Sequence, residues 1–181
     1  MQNFSDVVTG RRSIRRFTDR QVDDTTLNEI LEQARWTPSW ANSQCWEIIV
    51  VRSEELKKPL SQLLSAKNPA KLAIANGPLT LVICAEKQKA GYYKNSASTV
   101  LGDWLMYDLG LVTQTICLAA HNKGLGSVIV GAFDHRQAAE ILAVPAAFQL
   151  VSMVPMGYPD HAPSAPKRRE LSEFIHHDTF A

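Results

Sequence analysis

The chain is poor in cysteine, nearly neutral in net charge and without a long hydrophobic run. Its three cysteines, Cys45, Cys84 and Cys117, are far apart and odd in number. That excludes a disulfide framework and any paired-cysteine zinc spacing, and a reducing cytoplasm is the expected compartment. Net charge is +1, so no global field favours nucleic acid or a membrane surface. The most apolar stretch, around Trp104 to Ala120, is interrupted by Asp108, Thr113, Gln114 and Thr115, which argues against a membrane span. The opening residues, MQNFSDVVTGRRS, contain no apolar run of the secretory kind. No Gly-x-Ser-x-Gly elbow occurs, so triad hydrolase chemistry has no anchor. The glycines at 124, 126 and 131 are ordered wrongly for a dinucleotide fingerprint: they follow a helical stretch and precede a strand.

What is present is local positive charge. Arg11 to Arg20 carries five cations, and Lys167-Arg168-Arg169 carries three. With both segments set aside, 11 positive and 17 negative residues remain. Charge concentrated in this way suits a compact anion such as one phosphate, because arginine offers forked donors to phosphate oxygens. Arg11, Ser13 and Arg15 alternate, so an extended segment aims all three to one side. A nucleic-acid arm would need interleaved aromatics, which the segment lacks.

The residues organise into mixed helices and strands without strict alternation, which implies an α+β or mixed-sheet class within 181 residues, one domain in size. A short helix is predicted over Asn3 to Thr9. A second, capped by Asp23 or Asp24, carries Leu27, Ile30, Leu31 and Ala34 and stops at Pro38. Trp46 to Arg52 reads as a strand. Ser53 is the expected cap of a helix from Glu54 to Ser65. Pro78 to Ala85 reads as a second strand, Ser127 to Val130 as a third and Phe148 to Gly157 as a fourth. Ser96 to Lys123 is the longest helical candidate, apolar on nearly all faces, which suggests a second molecule against it. Asp134 caps a helix to about Ala143. Residues 158–181 read as an extended, proline-rich arm.

Pro38 to Trp46 (PSWANSQCW) sets two Trp around Asn and Gln side chains, and amides can read the edge of a planar heterocycle. Gly131, after a strand, lets a backbone N–H approach a ligand. His176, His177 and Asp178 are adjacent and lack a usefully spaced third ligand, so no metal site is expected.

In order, RRSIRRF at 11–17, PSWANSQCW at 38–46, GLGSVIVGAF at 124–133, MGYP at 156–159 and PKRR at 166–169 resemble the FMN-dependent nitroreductase family. The resemblance spans nearly the whole chain. It implies a mixed β-sheet flanked by helices in an intertwined homodimer, with FMN at the interface. By that pattern Arg11, Arg12, Ser13 and Arg15 contact the flavin, and Lys167 and Arg169 hold its phosphate with Arg11. Pro38, Ser39, Trp40, Asn42 and Gln44 come from the partner copy, and Ile129, Val130 and Gly131 pass along the other side of the ring. Cys45 stands where the family usually has proline, and Trp40 where a small residue is common. Asn68 and Lys71 are the candidates for the family's Asn and Lys beside the pyrimidine edge.

The implied activity is transfer of two electrons from NAD(P)H to a nitroaromatic, quinone or similar planar small-molecule acceptor, with the flavin doing the chemistry. No separate catalytic residue is named, since protons can come from water. The alternatives are a flavin-binding sensor, carrier or store without turnover, and another flavin reaction such as enoate reduction or dehalogenation.

Overall fold

The computed structural model describes residues 3–180. The elements in chain order are α1 (Phe4–Gly10), α2 (Asp24–Ala34), β1 (Trp46–Val51), α3 (Glu54–Gln62), α4 (Lys71–Asn76), β2 (Leu79–Glu86), β3 (Tyr92–Tyr93), β4 (Ser96–Ala97), α5 (Leu105–Asn122), β5 (Gly126–Ser127), α6 (His135–Ile141) and β6 (Phe148–Gly157). Side-chain caps start three helices: Asn3 accepts from Asp6 N, Asp23 from Thr26 N and Asp134 from Gln137 N. Ser53 precedes α3 but caps it only through its carbonyl, which accepts from Lys57 N. Pro59 lies inside α3 without ending it.

The main sheet has the order β1-β2-β6-β5, and each named pair is antiparallel. A parallel bridge from Ser13 to Ser127 adds the arginine segment at the β5 edge and makes the sheet mixed. β2 is buried from Leu79 to Ala85 because both faces are covered. Leu79, Leu81 and Ile83 pack with Leu27, Ile30, Leu109, Val112 and Ile116 from α2 and α5. Val82 and Cys84 face the opposite way, toward Leu60, Ile74 and Ala138 from α3, α4 and α6. One strand thus seeds two cores.

Two expectations need correction. The helix over Ser96 to Lys123 begins only at Leu105; before it the chain makes the β3-β4 hairpin. Gly102 is left-handed at φ 71°, and the Asp103 carboxylate accepts from Leu105 N and Gln88 N, so the backbone turns there. The third strand, expected over Ser127 to Val130, is Gly126–Ser127 followed by a lone bridge from Val130 to Met153. Pro155 explains the gap. Its carbonyl accepts from Val128 N at 3.4 Å, so its nitrogen faces the same edge and offers no proton there.

The start of the arm is tied to the arginine segment. Thr18 N donates to Tyr158 O, Asp160 N donates to Arg16 O, and the Arg20 guanidinium lies 3.8 Å from the Tyr158 ring centroid. Beyond it the described residues of the arm run over the surface. Among the described residues no helix is long and apolar enough to cross a membrane.

Candidate functional site

Ile14 anchors the arginine segment. Its side chain is buried and its amide donates to Ser127 O at 2.9 Å. A Cβ on Gly126 would sit 2.5 Å from Ile14 Cγ1, so only glycine lets the two segments approach this closely. With Ile14 turned inward, Ser13 and Arg15 face the other way, half-buried. Arg12 is differently employed: its Nη1 donates to Thr9 O and Arg11 O, closing the end of α1.

Arg15 lines a cavity of about 360 Å³ with Lys67, Asn68, Val128, Ile129, Val130 and Gly131. Ile129 and Gly131 also border a neighbouring cavity of about 410 Å³, floored by Met106, Leu109 and Gly110 of α5. A Cβ on Gly131 would meet nothing within 4 Å, so its backbone stands open to both spaces. The His135 ring braces this wall, with its nitrogens 2.9 Å from Gly131 O and 3.1 Å from Leu150 O. Of the two pyrimidine-edge candidates, Asn68 lines the cavity and Lys71 does not; Lys67, which sequence reasoning missed, does.

The Pro38–Gln44 loop is built elsewhere, over the start of α5. Ala41, Asn42 and Gln44 have φ of 45°, 54° and 45°. Left-handed backbone costs a non-glycine residue roughly 1 kcal/mol or more, so the loop needs external support. Ser39 Oγ accepts from Gln44 N at 2.9 Å, and Gln44 Nε2 donates to Asn42 Oδ1 at 3.2 Å. The Trp40 ring packs on Trp104 with centroids 5.0 Å apart, and Trp104 meets Tyr107 edge-on at 5.4 Å. Below the loop lies Asp108, 1% exposed. Both its carboxylate oxygens accept from Trp40 N at 3.1 Å. Oδ2 also accepts from Cys45 Sγ at 3.7 Å. Burial and the Asp108 carboxylate push the Cys45 thiol up to about 12, so at neutral pH it is a donor and an unreactive one.

None of Pro38, Ser39, Trp40, Asn42 and Gln44 lines the Arg15 cavity. The C-terminal cations also stand apart. Lys167 and Arg169 are exposed; Arg169 donates to the Glu173 carbonyl and lies over the Phe174 ring, and Arg168 donates to Pro166 O. Among the described residues, no hydrogen bond or ion pair joins this cluster to Arg11. One chain therefore brings together Arg15, Ile129, Val130 and Gly131, and leaves the loop and the arm as separate parts.

The cavity fits a flat, anionic cofactor. It offers an arginine, an amide side chain and an open backbone edge next to an apolar floor, the mixture small-molecule sites require. Asp108 is the other residue sequence reasoning passed over. It read only as a polar interruption of an apolar helix, and its partners lie 63 and 68 positions away.

Comparison with known proteins bears on this geometry. The family described as "Nitroreductase family" matches residues 8–158. An FMN reductase (NAD(P)H) of Bacillus subtilis is 30% identical, over 94% of this chain and 71% of that protein. Among solved structures, a nitroreductase family protein of Clostridium difficile superposes with a TM-score of 0.82 at 28% identity, covering 98% of this chain and 99% of that one. The B. megaterium protein NfrA2 superposes with a TM-score of 0.85 at 27% identity, covering 100% of this chain and 76% of its own.

Proposed function

Since the chain belongs to the nitroreductase family and is an NAD(P)H-dependent flavin oxidoreductase, we propose that its FMN occupies the Arg15 cavity of one subunit beneath the Pro38–Gln44 loop of a second. The observation that carries this reading is the cavity where Arg15 and Asn68 meet the segment Ile129 to Gly131. Bound there, FMN would supply the two-electron chemistry that links NAD(P)H to a nitroaromatic, quinone or similar planar acceptor.

The protein's part is to bind, orient and set the field. Arg15 holds a fixed positive charge beside the cavity. That charge favours the more anionic state of the ligand and raises its reduction potential. Arg11 lies on the same segment, where a phosphate gains forked donors, and Lys167 and Arg169 of the arm complete that clamp when the ligand orders them. Gly131 lets its backbone approach the ring. Pro38, Ser39, Trp40, Asn42 and Gln44 reach the ring from the partner. The separation of loop and cavity within one chain supports a homodimer, as does the exposure of Met106 and Tyr107 on α5. The match over residues 8–158 supports one domain, with the residues after it as an arm.

The test is the visible spectrum of the purified protein, recorded before and after NADH or NADPH. A yellow protein bleached by either donor, and restored by a nitroaromatic, is the expected result. A colourless protein that takes up no added FMN overturns the reading. Arg15→Ala refines it: FMN stays bound and its midpoint potential falls. An unchanged potential removes the role given to Arg15.

A further inference from the structure

Asp108 sits in the first turn of α5, buried, without a lysine or arginine paired to it among the described residues. A buried carboxylate lacking a counter-ion is costly, and apolar side chains of similar volume often replace such groups without loss of stability. Core packing alone therefore does not account for an aspartate here. Its partners do. Both oxygens take the Trp40 amide, the first N–H of the short 3-10 turn at Trp40–Asn42, and Oδ2 also takes the Cys45 thiol. These two contacts grip the strained loop just before and just after its left-handed residues, Ala41, Asn42 and Gln44. The Trp40 ring is pinned at the same end by Trp104, which immediately precedes α5.

We propose that Asp108 is a positioning residue: from inside α5 it fixes the Ser39–Gln44 loop and the Trp40 ring in the shape that forms the slot for planar acceptors. The inference rests on the reading that this loop covers the partner's flavin. A slot set by one clamped indole selects flat, aromatic acceptors that can stack, and loosening the clamp weakens their binding more than that of the flavin, which keeps its Arg15, Asn68 and Gly131 contacts on the other copy. Cys45 adds a donor to the same carboxylate that a proline at its position could not supply.

The test is Asp108→Leu beside Asp108→Asn, each purified with FMN. Kinetics are measured with nitrofurazone, which must stack, and with ferricyanide, which need not. In the FMN-loaded Leu variant, KM for nitrofurazone rises at least about tenfold, as expected when a positioning group is lost. The ferricyanide KM of the same FMN-loaded fraction stays at the wild-type level. A merely structural aspartate would move only Tm and FMN content, and leave the nitrofurazone KM of the loaded fraction unchanged. A nitrofurazone KM within about twofold of wild type overturns the proposal, because misplacement by even 1 Å costs far more. If the variants do not fold, hydrogen exchange in the wild-type protein decides. The Trp40 amide should exchange about a hundredfold more slowly than that of Ala41, and equal rates overturn the clamp. A wild-type protein that binds no FMN defeats the functional reading instead, and the exchange experiment still reports on the clamp.

Discussion

In the N-terminal cationic segment, Ile14 is 6% exposed and donates its amide to Ser127, so the backbone carrying Arg11, Ser13 and Arg15 is held against the sheet edge. The segment Lys167–Arg169 is exposed throughout, and its hydrogen bonds return to its own neighbours. The two clusters have the same chemistry in the sequence. They differ in whether an apolar residue beside the cations is buried. A cation on a fixed backbone meets an anion with its ordering cost already met. One on a free arm must be ordered on binding, at about 0.5–1.5 kcal/mol per side chain.

The strongest way to break this contrast is to remove the anchor. Ile14→Ala should cost about 3 kcal/mol of stability, measured by urea unfolding, since it empties a buried aliphatic site. FMN affinity should fall with it. The matching change in the arm, Leu171→Ala at a residue 68% exposed, should shift stability by less than about 0.5 kcal/mol. Comparable losses from the two would mean that the arm is packed as tightly as the edge.

Next in size is the contribution of the cations themselves. Arg11→Ala should weaken FMN binding by about 2 kcal/mol, roughly 30-fold in Kd, as for a lost charged hydrogen bond. Arg169→Ala should cost less than about fivefold, in the range of exposed ion pairs. Titrations at two salt concentrations sharpen the comparison, because the exposed contribution is screened more strongly. Equal losses would show that the arm closes fully on the phosphate and matches the anchored site.

The central strand and its two coverings were legible in the sequence because PLTLVICA is apolar on both alternating faces apart from Thr80, a run that suits a sheet covered on both sides. The capped helices were legible because Asp23 and Asp134 are local signals that reach three residues ahead. The start of α5 was not, because Trp104 to Ala120 has helical character throughout and the deciding feature is a backbone turn at Gly102-Asp103. The break after β5 depends on Pro155 in another strand. Nothing local marks the need for Gly126, which is contact with Ile14, more than a hundred positions earlier. The site divides the same way. Arg15 and Gly131 announced themselves by local pattern, whereas Lys67 and Asp108 are defined by what folding sets beside them.

The smallest expected effect reports on the same contrast from inside the fold. The His121 ring lies against Gly10, where an added Cβ would come within 3.0 Å of Nε2. Burial holds its pKa below the ordinary 6.5, and the positive charges of Arg11 and Arg12 lower it further. The folded chain thus prefers the neutral ring, while the unfolded chain takes up a proton as pH drops through 6.5. This contribution to stability is complete above that pH and is lost as pH falls toward the folded pKa. An anion bound at Arg11 offsets part of the field, so FMN or inorganic phosphate should raise the His121 pKa, followed by the imidazole proton resonance. Arg11→Ala should raise it in the unliganded protein, because one of the two cations near the ring is gone. Arg169→Ala should leave the unliganded titration where it is, because a cation on a free arm adds nothing fixed at His121. A shift on Arg169→Ala equal to that on Arg11→Ala would put the arm beside α1 before any ligand arrives, and the distinction between anchored and free cations would fail.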